Sequence, residues 1–199
     1  MNGHFSSAQS TPLFTQGRSL LLGALCLVLL NGCASLTLEE CQTADWRALG
    51  ERDASRGSPD RIADHLKSCQ SHGLPVNVAL YRQGYQTGLK GYCTKSRILS
   101  ESIDGRGEIS QCPSALQPAL QPYRDAGRTL YRAQSALEEL DNKQQSLSLE
   151  LEKKDLTESR RREIRREMRQ NDDRMGYQRE QVLIANDLVN RLRLTLAYF

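Results

Sequence analysis

The clearest candidate for chemistry in this chain is a single cysteine, Cys33, which follows an apolar run at residues 20–30. The letters LNGC at residues 30–33 are typical of a lipobox, where a signal peptide is cut and the new N-terminal cysteine is acylated. The run is shorter than the roughly 20 residues that a membrane-spanning helix needs, so it suits the core of a signal peptide. We therefore predict a signal peptide at residues 1–32 and lipidation of Cys33. The alternative is an ordinary signal peptide cut elsewhere.

The residue after the lipidated position indicates where such a protein is sorted. It is Ala34 and not aspartate, which by the sorting rules of bacterial lipoproteins favours the outer membrane. Stable anchoring takes two or more acyl chains. The predicted localisation is therefore the periplasmic face of the outer membrane, with the membrane bound through the acyl chains on Cys33.

Four of the six cysteines are predicted to form disulfides, because an even number of them remains in an oxidising compartment. These are Cys41, Cys69, Cys93 and Cys112. Four cysteines allow three pairings, which sequence alone does not decide. The pairing Cys41–Cys69 is favoured because these residues lie at the meeting ends of two predicted antiparallel helices. Cys93–Cys112 would then close a segment predicted to be irregular, residues 94–111.

A metal site is an alternative use of one of these cysteines. His65, Cys69 and His72 share one helical face, and this spacing can bind zinc or copper. The favoured interpretation is a disulfide cysteine between two surface histidines, so we predict no metal and no cofactor.

Acid–base chemistry is the other possibility that the residue types offer. Asp45, Trp46, Asp53 and His65 could form a pocket with the tyrosines of the third predicted helix. The favoured interpretation is that Asp45 caps a helix and that Trp46 fills a small core. The chain has no P-loop, no Gly-x-Ser-x-Gly and no His-Glu-x-x-His. We therefore predict no catalytic residue and no enzyme.

Three short helices should position these residues in a domain at residues 33–113. Thr37-x-x-Glu40 is a capping box for a first helix that fades at Gly50. Ser58 followed by proline predicts the start of a second helix, which ends at Gly73. Pro75 opens a third helix with a tyrosine stripe, and Gly84-x-x-x-Gly88 beside that stripe favours close helix packing over phosphate binding.

Residues 114–199 carry two apolar rows with heptad spacing, which predict an antiparallel coiled-coil hairpin. A turn near residues 154–158, capped by Asp155 or Thr157, would place Leu140 opposite Met175 and Gln144 opposite Asn171. The facing polar pair would specify the register. A single long dimeric helix is the alternative.

Arginines concentrate near the predicted turn of this hairpin. We predict a solvated face with helical ion pairs such as Glu158–Arg162, and as an alternative an interaction with an anionic partner. The candidates for such an interaction are Arg161, Arg162, Arg165, Arg166 and Arg169. The chain as a whole has 27 basic and 24 acidic residues, and this balance makes no case for nucleic acid.

Spaced residues in the N-terminal region resemble a known family. They are Cys41-x-x-x-Asp45-Trp46-x-x-x-Gly50-x-x-Asp53-x-x-x-Gly57, Cys69-x-x-His72-Gly73, Tyr81-x-x-Gly84-x-x-x-Gly88-Leu89-x-x-Tyr92-Cys93-Thr94 and Cys112-Pro113. Residues 33–113 thereby resemble the YfiL-type family of small proteobacterial lipoproteins, which is defined by a domain of unknown function. The resemblance supports a lipoprotein and implies no activity. It departs from the family pattern between Arg97 and Ser110.

The sequence as a whole predicts an all-α protein, a small disulfide-stapled helical domain followed by a long antiparallel coiled-coil hairpin. The predicted function is that of a structural or interaction module of the cell envelope, with a protein or cell-wall partner bound through the hairpin. The alternative is a periplasmic ligand-binding or enzymatic module built on the disulfide-stapled domain.

Overall fold

A computed structural model describes residues 36–197, and all the regular structure in that range is helical, as predicted. The predicted signal peptide at residues 1–32 and the lipidated Cys33 lie outside the described residues. Within the described part, no helix is both long and apolar enough to cross a membrane. The helices are α1 (Leu38–Thr43), α2 (Trp46–Ser55), α3 (Ile62–Ser71), α4 (Val78–Tyr92), α5 (Lys95–Ile103), α6 (Gln117–Leu151) and α7 (Glu158–Ala197).

The first predicted helix is two helices. The capping box of Thr37 and Glu40 is present and opens α1. The prediction that one helix continues to Gly50 is wrong, because Asp45 accepts a hydrogen bond from the amide of Ala48 and so caps the start of α2. Gly50 then lies inside α2, buried against α4.

The second predicted helix begins later than expected. Ser58 does not cap it; α3 starts at Ile62, and the Ser58 carbonyl accepts a hydrogen bond from the Tyr85 hydroxyl instead. Gly73 follows the end of α3 with a positive φ of 71°, which suits glycine. The disulfide Cys41–Cys69 ties α1 to the end of α3, and the disulfide Cys93–Cys112 is also present, so the favoured pairing is confirmed.

Close packing of α2 on α4 depends on glycines, as predicted for Gly84 and Gly88. A side chain at Gly84 would collide with the carbonyl of Arg47, and one at Gly50 would collide with the carbonyl of Tyr81. The backbones of the two helices therefore lie nearly in contact along this line, and the tyrosines of α4 reach the core beside it.

The segment between Cys93 and Cys112 is not irregular throughout, and this prediction is wrong. Thr94 accepts a hydrogen bond from the amide of Arg97 and caps α5. This helix buries Ile98 and Leu99 against α6 and thereby acquires the apolar contacts that a short helix needs in order to be stable.

The antiparallel hairpin of α6 and α7 forms in the predicted register. The side-chain amide of Asn171 donates to the Gln144 side chain at 3.1 Å and to the Leu140 carbonyl at 2.8 Å. Thr157, and not Asp155, caps the second helix by accepting a hydrogen bond from the amide of Arg160. The facing polar pair thus lies within the seam, where an unpaired polar group would be costly.

The hairpin shares a core with the N-terminal region at one end. Ile98 and Cys112 pack in one hydrophobic cluster with Tyr123 and Leu130 of α6 and Val189 of α7. Among the described helices, α5 is the one that packs against the hairpin. Because α6 has 35 residues and is therefore about 50 Å long, the half that carries the turn projects beyond this shared core.

Candidate functional site

Three buried polar side chains from three helices meet inside the N-terminal region. The Tyr81 hydroxyl donates to Asp53 Oδ2 at 2.8 Å, and His65 Nε2 lies 3.1 Å from the same oxygen. In the His65 tautomer that carries its proton on Nε2, the ring donates to this oxygen. The Tyr81 oxygen also accepts a hydrogen bond from the amide of Arg61. The network therefore joins α2, α3 and α4 at one point.

Aromatic rings enclose this network. His65 lies edge-on to Tyr81 with ring centroids 5.4 Å apart, and the Trp46 ring is tilted against the His65 ring with centroids 6.5 Å apart. Tyr85 stacks on Tyr81. Burial raises the pKa of Tyr81, and burial together with the charge of Asp60 raises the pKa of Tyr85 to about 12. The hydroxyls are therefore held in their neutral, donating form.

The structure brings most of the predicted acid–base candidates together. Trp46, Asp53, His65 and the tyrosines at 81 and 85 are neighbours, whereas Asp45 is separate and caps α2. Sequence reasoning did not assign Tyr81 its role as the donor to Asp53, because the two residues are 28 positions apart and no spacing rule links them.

The geometry of the network suits a structural role better than a reacting one. Asp53, His65 and Tyr81 are each at most 9% exposed, and the carboxylate is occupied by the two other side chains. His65 Nδ1 is buried without a hydrogen-bond partner among the described residues. A Tyr–Asp–His chain can relay a proton, but these three side chains are buried, and Tyr81 belongs to an apolar cluster.

The alternative of a metal site at His65, Cys69 and His72 is wrong, because the sulfur of Cys69 is bonded to Cys41. His65 is directed at Asp53. In the described part of the chain, no group of three or more His, Cys, Asp or Glu side chains is arranged to hold a metal ion.

A second candidate site is the arginine face of α7, which we define as Arg162, Arg165, Arg166 and Arg169. All four are exposed, and with Ser159 and Glu163 they line an open cleft of about 570 Å³. Within residues 36–197, none of the four side chains makes a hydrogen bond or an ion pair. The predicted ion pair Glu158–Arg162 is wrong, because the Glu158 carboxylate lies 3.8 Å from Arg161. Glu163, the carboxylate in this cleft, pairs with Arg160 at 2.9 Å, so the four guanidinium groups of the arginine face form a patch of net positive charge.

Arg160 and Arg161, which precede this face in the sequence, bind other residues of the hairpin. Arg160 makes a bidentate ion pair with Glu150 at 2.8 and 2.9 Å and contacts Glu163 and Glu167, and hydrogen bonding to Glu150 raises the pKa of Arg160. Arg161 donates to the carbonyls of Leu151 and Lys153 at the end of α6. Arg161 thus secures the turn of the hairpin, unlike the other four interaction candidates.

A comparison with protein-family models found one domain in this chain. The model described as "Protein of unknown function (DUF2799)" matches residues 45–129. Residues 45–129 are a DUF2799 domain. No curated protein and no solved structure matched the chain.

The extent of the DUF2799 domain agrees with the packing. It begins at the cap of α2, contains the Asp53–His65–Tyr81 network, and ends at Thr129 within α6. Its end includes Gly127, which lies directly against Leu99 and Ser102 of α5. The arginine face lies on α7, after the domain.

Proposed function

We propose that this protein is a YfiL-type lipoprotein, anchored in the outer membrane through acyl chains on Cys33 and facing the periplasm. The LNGC pattern after a short apolar run supports the anchor. The two disulfides support an oxidising compartment, because such bonds seldom persist in the cytosol. Few residues separate Cys33 from α1, so the DUF2799 domain would lie close to the bilayer.

We further propose that the protein is a structural or interaction module of the envelope, which binds an acidic protein or cell-wall partner through the hairpin. The observation that carries this proposal is the arginine face. Four exposed guanidinium groups without an internal ion pair stand on the half of the hairpin that projects from the shared core. Such a group attracts and orients acidic partners.

A non-enzymatic role fits the N-terminal region. Its acid–base candidates are buried and bonded to one another, so they stabilise the packing of α2, α3 and α4. The alternative, a ligand-binding or enzymatic module on this domain, needs a substrate to reach His65 through the aromatic cluster around it.

The anchor is tested by fractionating cells that express the full chain or its Cys33→Ala variant. We expect the parent chain in the outer-membrane fraction with incorporated fatty acid. The variant should carry no fatty acid and should leave that fraction. Equal fractionation of the two chains would overturn the lipid anchor.

The interaction is tested by placing a photo-reactive amino acid at Arg166, on the arginine face, in the full chain in intact cells. A matched control carries it at Leu149, which is 66% exposed on α6 of the same hairpin. We expect a discrete adduct at Arg166 and not at Leu149, which mass spectrometry would identify. Adducts at neither position, together with lost function in a His65→Ala variant that still folds, would favour the ligand-binding or enzymatic alternative.

A further inference from the structure

A second row of heptad-spaced residues runs along the outer side of α7. Each member lies two positions before a seam residue, and two residues of an α-helix turn through about 200°, so the row lies on the outer side of α7, with Asp173 also bordering a cleft beside Glu139 and Leu140 of α6. The outer row consists of Arg162, Arg166, Arg169, Asp173, Gly176 and Glu180. Every member is exposed, and none of the five side chains is hydrogen bonded or ion paired within residues 36–197. The row repeats the heptad spacing of the seam because it follows the seam at a fixed offset, but the packing of the hairpin gives its charged side chains no hydrogen-bond or ion-pair partner in that range.

The charges of the outer row are ordered: three basic residues are followed by two acidic ones. When two copies of such a helix lie antiparallel around a two-fold axis, the basic half of each copy meets the acidic half of the other. One register places Arg162 opposite Glu180 of the partner subunit and Arg169 opposite Asp173 of the partner subunit. In the same register Arg166 lies opposite Gly176 of the partner subunit. The outer row of one copy is thus complementary in charge to the outer row of a second, antiparallel copy.

Gly176 leaves room for a close neighbour on this face. Glycine inside a helix is unfavourable; approaching backbones explain Gly50, Gly84 and Gly88, whereas Gly176, like Gly91 near the end of α4, has no such neighbour. A side chain at Gly176 would meet no atom within 4 Å. In the antiparallel pair, the missing side chain leaves room for the long stem of Arg166 of the partner subunit.

We propose that the outer row of α7 is an interface with a second copy of this chain, docked antiparallel. A flat phosphate surface fits the row less well, because it would attract the arginines and repel Asp173 and Glu180 on the same face. The inference rests on the proposed role of the hairpin as an interaction surface and is independent of the lipid anchor. Exposed ion pairs are weak and are screened by salt. The association is therefore weak and salt-sensitive, and confinement of both copies to one membrane would raise their effective concentration.

The test uses two differently tagged full chains expressed together in cells, one with Arg166→Cys and one with Gly176→Cys. The native cysteines at 41, 69, 93 and 112 are engaged in disulfides, so the added thiols report proximity of the two positions. We expect a disulfide-linked pair that carries both tags. The control pairs Gly176→Cys with Leu149→Cys, which is exposed on the other helix, and should give little product.

Charge reversal makes the test specific for this register. Adding Arg162→Glu and Arg169→Glu to both chains should reduce the linked product at least about tenfold, since four attractive contacts become repulsive. Adding those two changes to one chain, and Asp173→Arg and Glu180→Arg to the other, should restore the product. Restoration also demonstrates that the variants fold, which is expected because these side chains have no internal hydrogen bonds or ion pairs.

The outcomes separate this inference from the proposed function. Product that is equal in the Leu149 control, or insensitive to charge reversal, would overturn self-association. If the photo-adduct at Arg166 is then a different protein or cell-wall material, the interaction role survives and only the identity of the partner changes. If neither self-linked product nor adduct forms, both proposals fail.

Discussion

At the residue scale, the Asp53 carboxylate holds the N-terminal region together by accepting from two helices at once. Tyr81 and His65 both bond to Oδ2, and Arg61 donates its amide to the Tyr81 oxygen. Because each group is buried, losing one partner leaves another polar atom unpaired in an apolar surrounding. This network is therefore a contributor to stability, although its residue types also suit catalysis.

Tyr81→Phe should lower the free energy of unfolding by about 1–3 kcal/mol, since it removes a donor to Asp53 and the acceptor for the Arg61 amide. Urea denaturation followed by circular dichroism measures this change. The matched control is Tyr177→Phe, at a position 63% exposed, which should change stability by less than about 0.5 kcal/mol. Equal effects of the two variants would contradict the structural role of the network.

The buried tyrosines also set a limit on stability at alkaline pH. Their pKa values are raised in the folded chain, to about 12 for Tyr85, mainly by burial, whereas in the unfolded chain they return to about 10. The unfolded state therefore releases these protons first, so the stability is complete below about pH 10 and is lost as pH rises towards 12. In the folded protein, near-ultraviolet absorbance should show the tyrosines at 81, 85 and 92 ionising only above the pKa of about 10 that a tyrosine has in an unfolded chain. Ionisation of all three near pH 10 in the folded protein would contradict the burial.

At the element scale, glycine has opposite consequences for stability in α4 and in α7. Gly84 of α4 lies against the backbone of α2, so its missing side chain is what permits the contact. Gly176 of α7 faces open space within the chain. Its conformational freedom is therefore a cost that no intramolecular contact offsets.

Gly84→Ala should destabilise the protein by about 1–3 kcal/mol or more, because α2 and α4 must move apart. Gly176→Ala serves as its control and should stabilise an isolated chain by about 1 kcal/mol through helix propensity alone. Thermal unfolding of the two variants beside the parent chain measures both changes at low protein concentration. A destabilising Gly176→Ala would show that this glycine has a further role within one chain.

At the scale of the whole molecule, the N-terminal region contributes to two hydrophobic clusters. One of them also contains residues of the hairpin, and the other does not. One cluster, around Tyr81 and Cys69, is formed by residues before position 113. The other joins Ile98 and Leu99 of α5 to α6 and α7. The predicted regions 33–113 and 114–199 therefore meet in a shared core.

A fragment of residues 36–113 should keep α2 and α4 folded but release α5, because the apolar partners of Ile98 and Leu99 on α6 are gone. Hydrogen exchange measured by mass spectrometry should show α5 amides exchanging far faster in the fragment than in the full chain. The amides of α4 provide the internal control. Equal protection of α5 in both would mean that the N-terminal region folds without the hairpin.

Features that local rules govern could be predicted from the amino-acid sequence. Heptad spacing and one polar pair defined the hairpin and its register, because seam positions repeat at a fixed interval along each helix. The capping box at Thr37 could be predicted because it depends on residues three positions apart. The disulfides could be predicted because an even number of cysteines is expected to pair in an oxidising compartment. The favoured cysteine pairing followed from the order of the predicted helices.

The tertiary structure was needed to reveal features that depend on contacts between residues distant in sequence. It joined Asp53 to Tyr81, because helix packing and not spacing brings them together. It added α5, a short helix whose stability comes from burial against α6. It also separated Arg161, which is bonded to the carbonyls of α6, from the unpaired arginine face. Whether an arginine side chain has a hydrogen-bond or ion-pair partner depends on its neighbours in space, and the order of residues along the chain does not specify those neighbours.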